Sequence, residues 1–246
     1  MTHPIRSALL SLALAVAPLS AAMAQTGPVA AIARGDALVE SGDPAKLSEA
    51  LELYVSAAEA GSVWGQYKAA EMYYEGQGTE QDRARAAELY GDAADQGNAW
   101  AQYKLGGMLL TGDGIDPLPS RAVELLDAAG SQGNIWANYQ LGDAYLQGDV
   151  IAQDLTRAKF YLERAAEQNN AWALLRLGEM YRDGRGVTKS LTDAKTLLEQ
   201  SVAQKNSFAM VSLSEMIAED EPERAKALLS EAAELGNAAA QAKLAE

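Results

Sequence analysis

The sequence predicts an all-α fold, a solenoid of stacked two-helix repeats, and three observations predict it. Trp64, Trp100, Trp136 and Trp172 stand 36 residues apart, and Phe208 lies one further step on. The same step links Gly76, Gly112, Gly148 and Gly184, and also Ala86, Ala122, Ala158 and Ala194. Within one period, Ala122, Leu125, Leu126 and Ala129 recur at helical spacing, after the break made by Gly112-Asp113-Gly114. Self-similarity at a fixed step of this length marks a repeat array in which each unit is one supersecondary motif.

The elements follow in chain order. His3 and Arg6 precede an apolar stretch over residues 8–17, then Pro18 and a run of small residues closing on Ala22-Met23-Ala24. That is the layout of a secretory signal peptide, so residues 1–24 are expected to be removed, with cleavage between Ala24 and Gln25. An apolar stretch of about ten residues is too short to span a bilayer, where about 20 are needed. Residues 25–246 then form the repeat domain. Residues 25–60 are a degenerate first unit, because Ala50-Leu51-Glu52-Leu53-Tyr54 sits one period before Ala86-Ala87-Glu88-Leu89-Tyr90. Full units follow at 61–97, 98–133, 134–169 and 170–205. Residues 206–236 are a unit shortened by about five residues, recovering register at Ala225, Leu229 and Ala232-Ala233. Residues 237–246 restart as a closing half-repeat.

Each unit reads as two helices. In the third, Gly97 ends one helix and Asn98 caps the next, which runs to about Leu110. The glycines after Thr111 break it, and a second helix runs from near Ser120 to Ala129. Pro117 and Pro119 predict a stiffer and locally different loop here. Helices this short are marginal alone in water, so stability has to come from stacking.

Composition narrows the chemistry. The chain has 246 residues and no cysteine, and its only histidine is His3, inside the segment expected to be removed. The remaining chain would lack the residues for Ser-His-Asp or Cys-His catalysis and for zinc or haem ligation. Cleavage takes away Arg6 and no acid, leaving 19 basic against 34 acidic residues and a formal charge of −15. Such a surface repels phosphate backbones and anionic lipid, which argues against nucleic acid as a partner. No metal and no cofactor is expected. The Asp113 and Asp149 loops lack the ligand number of a calcium loop, and Asp and Gly are standard turn residues.

Asn98-Ala99-Trp100-Ala101-Gln102-Tyr103-Lys104-Leu105-Gly106 resembles the opening of a Sel1-like repeat, a tetratricopeptide-like fold. Residues 178–187, Gly-Glu-Met-Tyr-Arg-Asp-Gly-Arg-Gly-Val, are similar to its helix–loop signature, and residues 158–166 to its second helix. The resemblance implies a right-handed superhelix whose first helices line a concave groove. Its pattern has an Asp ahead of the second helix, which Asp82 and Asp154 match and Leu118 and Ser190 do not. The pairs Leu105-Gly106, Leu141-Gly142 and Leu177-Gly178 set a core leucine beside a residue with no side chain, so two helices can approach closely.

At about 100° per residue, Leu105 and Met108 share a face with Ala101, while Trp100, Tyr103 and Gly107 fall on the opposite side. That side carries the candidate partner-binding residues. They are Trp64, Trp100, Trp136 and Trp172, with Tyr67, Tyr103 and Tyr139 three residues after the first three. Lys68, Lys104 and Arg176 come next, with Gln140 in the matching place of the fourth unit. Glu71, Asp143 and Glu179 follow, with Gly107 at the corresponding position. Either the rings are displayed to a partner or each stacks over the next repeat. Either the cations receive a partner's carboxylate or they pair with acids on the helix surface.

The expected function is that of an exported, periplasmic or secreted, scaffold that holds a protein or peptide segment in its groove. Regulation of an envelope sensor or assembly of an envelope machine are the roles expected of it. A carbohydrate-associated scaffold is the alternative, and a carboxylate-based hydrolase the remote one. The chain is expected not to be an enzyme, nor to insert into a membrane once the leader is cleaved. N-terminal sequencing of protein from its native host should begin at Gln25. Full-length protein in the cytoplasm would remove both the export reading and the argument from the missing histidine.

Overall fold

The computed structural model describes residues 27–245. The expected signal peptide and His3 lie outside the described residues. The first unit holds α1 (Pro28–Glu40) and α2 (Leu47–Glu59), with one 3-10 turn, Pro44–Lys46, between them. Four units of paired 13-residue helices follow. They are α3 (Val63–Glu75) with α4 (Arg83–Asp95), then α5 (Ala99–Thr111) with α6 (Pro119–Ser131). Next come α7 (Ile135–Gln147) with α8 (Leu155–Glu167), and α9 (Ala171–Asp183) with α10 (Leu191–Ala203). The sixth unit pairs α11 (Ser207–Ile217) with α12 (Pro222–Glu234), and α13 (Ala238–Ala245) closes the stack. No strand occurs among the described residues.

The turns between units explain where the first helices begin. Asn98, Asn134 and Asn170 each accept, through Oδ1, the backbone N–H three residues on, at 2.9–3.0 Å. Asn206 and Asn237 do the same for α11 and α13. Each cap satisfies one of the orphan donors of a helix start, worth about 1 kcal/mol. The residue before the cap is in the left-handed region: Gly97 at φ 86 and Gly133 at φ 90. Asn169 and Lys205 hold this conformation at φ 62 and 63 without glycine's freedom, which costs a non-glycine residue about 1–2 kcal/mol. Asn carries that strain better than Lys, because its short side chain hydrogen-bonds locally.

Close approach then locks the pairs of the third, fourth and fifth units. A Cβ built on Gly106 would sit 2.7 Å from Leu126 Cγ, one on Gly142 2.7 Å from Leu162 Cγ, and one on Gly178 2.8 Å from Leu198 Cγ. These distances are shorter than side-chain carbons tolerate, so only glycine permits the two helices to lie where they do. Leu126, Leu162 and Leu198 are fully buried as a result. Each second helix also packs on the first helix of the next unit, which makes the core continuous along the stack. Successive first helices approach one another more closely than successive second helices, so the first helices form the inner side of the curve.

Two details of the register are resolved. The loop holding Pro117 and Pro119 is not locally different, contrary to expectation. Leu118 donates its N–H to the Leu109 carbonyl at 2.9 Å, the bond that Asp82 makes to Tyr73, Asp154 to Tyr145 and Ser190 to Tyr181. Pro119 is the first residue of α6, where a missing N–H costs nothing. Leu118 differs only in offering no side-chain cap, whereas Ser190 accepts from Asp193 N–H as Asp82 does from Arg85 N–H. The sixth unit is short because α11 has 11 residues and only residues 218–221 connect it to α12.

Replacing Gly142 with Leu should lower unfolding stability by about 1–3 kcal/mol or more through overpacking against Leu162. Ala245→Leu, on the exposed last turn of α13, should change it by less than about 0.5 kcal/mol. Urea denaturation measures both, and equal losses would contradict the packing described.

Candidate functional site

The exposed face of the first helices carries the residues singled out by the sequence. Trp64 is 52% exposed, Trp100 45% and Trp136 42%, so these three rings are displayed rather than buried between repeats. Each sits on the first turn of its helix and meets a tyrosine one turn on, edge to face. The centroid separations are 5.8 Å for Trp64–Tyr67, 6.3 Å for Trp100–Tyr103 and 6.4 Å for Trp136–Tyr139. This geometry suits the ring quadrupoles and holds each indole with its other face toward solvent. Trp172 behaves differently. It lies 5.2 Å from Phe208 of the next unit and packs, partly buried, against the core of the last repeats, and Leu175 stands where the three preceding units have tyrosine. The aromatic line is therefore open over three units, turns Trp172 against the next ring, and ends on Phe208, itself 54% exposed.

The cations are brought to the same face, but each already has a carboxylate from the preceding unit. Lys68 Nζ lies 2.9 Å from Asp36, Lys104 Nζ 2.9 Å from Glu71, and Arg176 Nε 2.8 Å from Asp143. Arg176 also reaches Glu179 at 3.2 Å, and Ser212 donates its hydroxyl to Glu179 at 3.0 Å. Tyrosine hydroxyls complete the arrangement: Tyr54 donates to Asp36 at 2.6 Å, and Tyr90 donates to Glu71. The result is a ladder of inter-repeat ion pairs. The sequence offered pairing along one helix; the structure runs it across units, a spacing of 32 or 33 residues that direct inspection of each helix does not reveal. For these cations to receive a partner's carboxylate, a rung would first have to break.

Charge states follow from this placement. Burial works against ionisation of Asp36, but the Tyr54 hydroxyl and Lys68 ammonium outweigh it and hold the carboxyl below the ordinary aspartate range. Burial, followed by the hydrogen bond to Glu71, pushes the Tyr90 phenol far up. Burial of Arg176 is outweighed by Asp143 and Glu179, so its guanidinium is held still more firmly in the charged form. Exposed surface pairs typically contribute about 0–1 kcal/mol, and partial burial of these rungs makes losing one partner costly, because the other charge is left without its counterion. The rungs tie neighbouring units together directly beneath the displayed rings.

The ladder has one gap. Between the third and fourth units the acidic position is Gly107 and the cationic position is Gln140. A cavity of about 270 Å³ opens there, walled by Tyr74, Tyr90 and Tyr103. Asp113, at its edge, is held by Arg83 at 2.7 Å and by the Tyr74 hydroxyl at 2.6 Å, so it offers no free carboxylate to a cation. Among the described residues no group of three or more acidic or imidazole ligands converges as a metal site requires. No described helix is long and apolar enough to cross a membrane.

A second aromatic surface was not anticipated. Phe160 is 52% exposed in a cleft on the second helices, beside the stacked rings of Tyr145 and Tyr161, 6.0 Å apart. The signal was available in the register, since Glu88, Glu124 and Thr196 occupy the corresponding places.

Comparison with known proteins places these features. The family model described as the Sel1 repeat matches residues 20–62, 65–98, 101–134, 137–170, 173–206 and 214–237. A Sel1 repeat protein from Oxalobacter formigenes is similar in structure, with a TM-score of 0.75 and 25% identity over 85% of this chain and 88% of that one. A protective antigen present in uropathogenic Escherichia coli strains is also similar, with a TM-score of 0.61 and 27% identity. That match covers 90% of this chain, which spans 56% of the antigen. No curated protein matches the chain.

Proposed function

Because the chain belongs to the Sel1 repeat family, whose members generally act as protein–protein interaction scaffolds, we propose that it is an exported scaffold binding an extended protein segment along the face of its first helices. The observation that carries this reading is the line of Trp64, Trp100 and Trp136, each about half exposed and each set edge-on against a tyrosine. Displayed indoles at a fixed step are costly to hydrate and serve as anchors when a partner covers them. Tyr67, Tyr103 and Tyr139 orient the indoles, and Lys68, Lys104 and Arg176 fix the spacing of the units beneath them. Trp172 belongs to the packing against Phe208 and is not assigned as an anchor.

Export, with release into the periplasm, rests on the leader pattern of residues 1–24. In that compartment the scaffold would engage an envelope sensor or an envelope assembly. A carbohydrate partner is the second reading, favoured by the exposed indole faces, which also suit the apolar faces of sugar rings. Crosslinking in cells followed by mass spectrometry of the captured species separates protein from glycan.

The double variant Trp100→Ala with Trp136→Ala tests the assignment. Loss of a fully buried Trp costs about 3–5 kcal/mol, so half-exposed rings should cost about 1–2 kcal/mol each and leave the protein folded. Loss of two anchors, at about 2 kcal/mol of binding each, should abolish capture. Thermal melting and capture of the crosslinked partner are measured on the same protein. A folded variant that still captures the partner refutes the anchors, and a collapsed one returns the rings to the core.

A further inference from the structure

The turns that lead into the first helices leave space between neighbouring tryptophans. Gly133 precedes the cap of α7 at φ 90, and a Cβ on it would meet nothing within 4 Å. A cleft of about 210 Å³ opens there, with Trp100 and Trp136 in its lining. Gly97 stands in the same place between Trp64 and Trp100, and a Cβ on it also meets nothing within 4 Å. The next two turns differ. Asn169 and Lys205 stand where the glycines stood, and Trp172 closes on Phe208 at 5.2 Å. The face therefore offers two open clefts in succession, and the indole of Trp100 is common to both.

Charge and hydrogen bonding decide what enters. Besides the two indoles, the cleft over Gly133 is lined by Ala99, Gln132, Asn134 and Ile135, none of them ionisable. The cations further along this face are already paired with acids. A charged side chain would lose hydration in the cleft and gain no counterion, so the occupant is neutral. A volume below the usual 300–1,000 Å³ or so of a small-molecule pocket suits a single side chain. Trp100 and Trp136 are 45% and 42% exposed, and among the described residues neither indole N–H has an acceptor. The first turn of α7 adds backbone donors without intrahelical partners, because Asn134 caps only the N–H of Ala137. Ring faces and N–H donors together suit a residue that brings a ring and a carbonyl but no N–H, which is proline.

The step between the clefts decides the conformation. Successive first helices are neighbours, tied by Asp36 to Lys68 and by Glu71 to Lys104, and packed helices lie about 8–10 Å apart. A segment running along the stack must show the same face once per step. A polyproline II helix does so, with three residues and an advance of about 9 Å per turn. A β-strand shows one face every second residue, about 7 Å, and falls out of step. An α-helix meets the step only every two turns and keeps its carbonyls for itself.

We infer that the clefts over Gly97 and Gly133 receive two prolines, three residues apart, of a segment in the polyproline II conformation, with Trp100 as the wall they share. The inference rests on the proposed binding of a protein segment along this face.

A randomised linear peptide library selected on the wild-type protein should return peptides with two prolines three residues apart. Binding of one such peptide is then read by fluorescence anisotropy of a labelled copy. Replacing either proline by Ala should weaken it about tenfold. Single variants assign each proline to its cleft. With Trp136→Ala one of the two replacements should lose its effect while the other keeps it, and with Trp64→Ala the two should exchange. With Trp100→Ala both should lose their effect. Should Trp136→Ala fail to fold, Gly133→Asn replaces it in the test, because the chain already holds Asn169 at the equivalent turn and the new side chain covers the cleft floor. Selected peptides without proline, prolines at another spacing, or proline effects unchanged in every variant overturn the inference. If such peptides are nevertheless lost with Trp100→Ala and Trp136→Ala together, the reading of this face as a binder of protein segments survives. Selection of no peptide, or capture of a neutral oligosaccharide in its place, overturns both.

Discussion

One close approach in each of the three central repeats carries the rest of the structure: a residue without a side chain on the first helix lies against a leucine of the second. With Gly106, Gly142 and Gly178 in contact range of Leu126, Leu162 and Leu198, each helix pair has one depth and one angle available to it. The pair still leaves apolar surface uncovered, which only the next unit covers. Stacking is thus the condition for folding at all. Because the third, fourth and fifth units repeat the same contact, any residue placed on the exposed side of a first helix there is repeated at a fixed step along the inner side of the stack.

That constraint turns surface residues into lines. The tryptophans, the tyrosines behind them and the ion pairs beneath form three parallel rows because their positions are locked to the glycine contact. The rows serve different ends. Carboxylates and cations consume one another across junctions and tie the units together, while the indoles of Trp64, Trp100 and Trp136 meet a tyrosine on one edge and stay about half exposed. A face stiffened from below and apolar at its rim gives up little conformational entropy when a partner is bound.

The fold was legible because it depends on period. Trp, Gly and Ala at one step define the helices, their caps and their breaks, and even the five-residue shortfall of the sixth unit shows as a slip of Ala225 against Ala194. The loop at Pro117 misled because proline's stiffness was weighed without the backbone bond from Leu118 to Leu109, which proline leaves intact. Exposure of the rings was not legible: the helical wheel places Trp100 and Trp172 alike, and the contact of Trp172 with Phe208 joins residues of two units. Pairing of the cations was also hidden, since it joins residues of adjacent units rather than of one helix. The gap at Gly107 and Gln140 was visible as a missing charge, and that it interrupts a ladder required the ion pairs on either side.

The central claim is that the inner face presents an open line of aromatic rings on a rigid stack. Acrylamide quenching of tryptophan fluorescence in the native protein, with single-tryptophan variants to separate the signals, tests it most directly. The account predicts red-shifted emission and ready quenching for Trp64, Trp100 and Trp136, and a shielded, weakly quenched signal for Trp172. Blue-shifted emission from all four, quenched only after unfolding in urea, would contradict it.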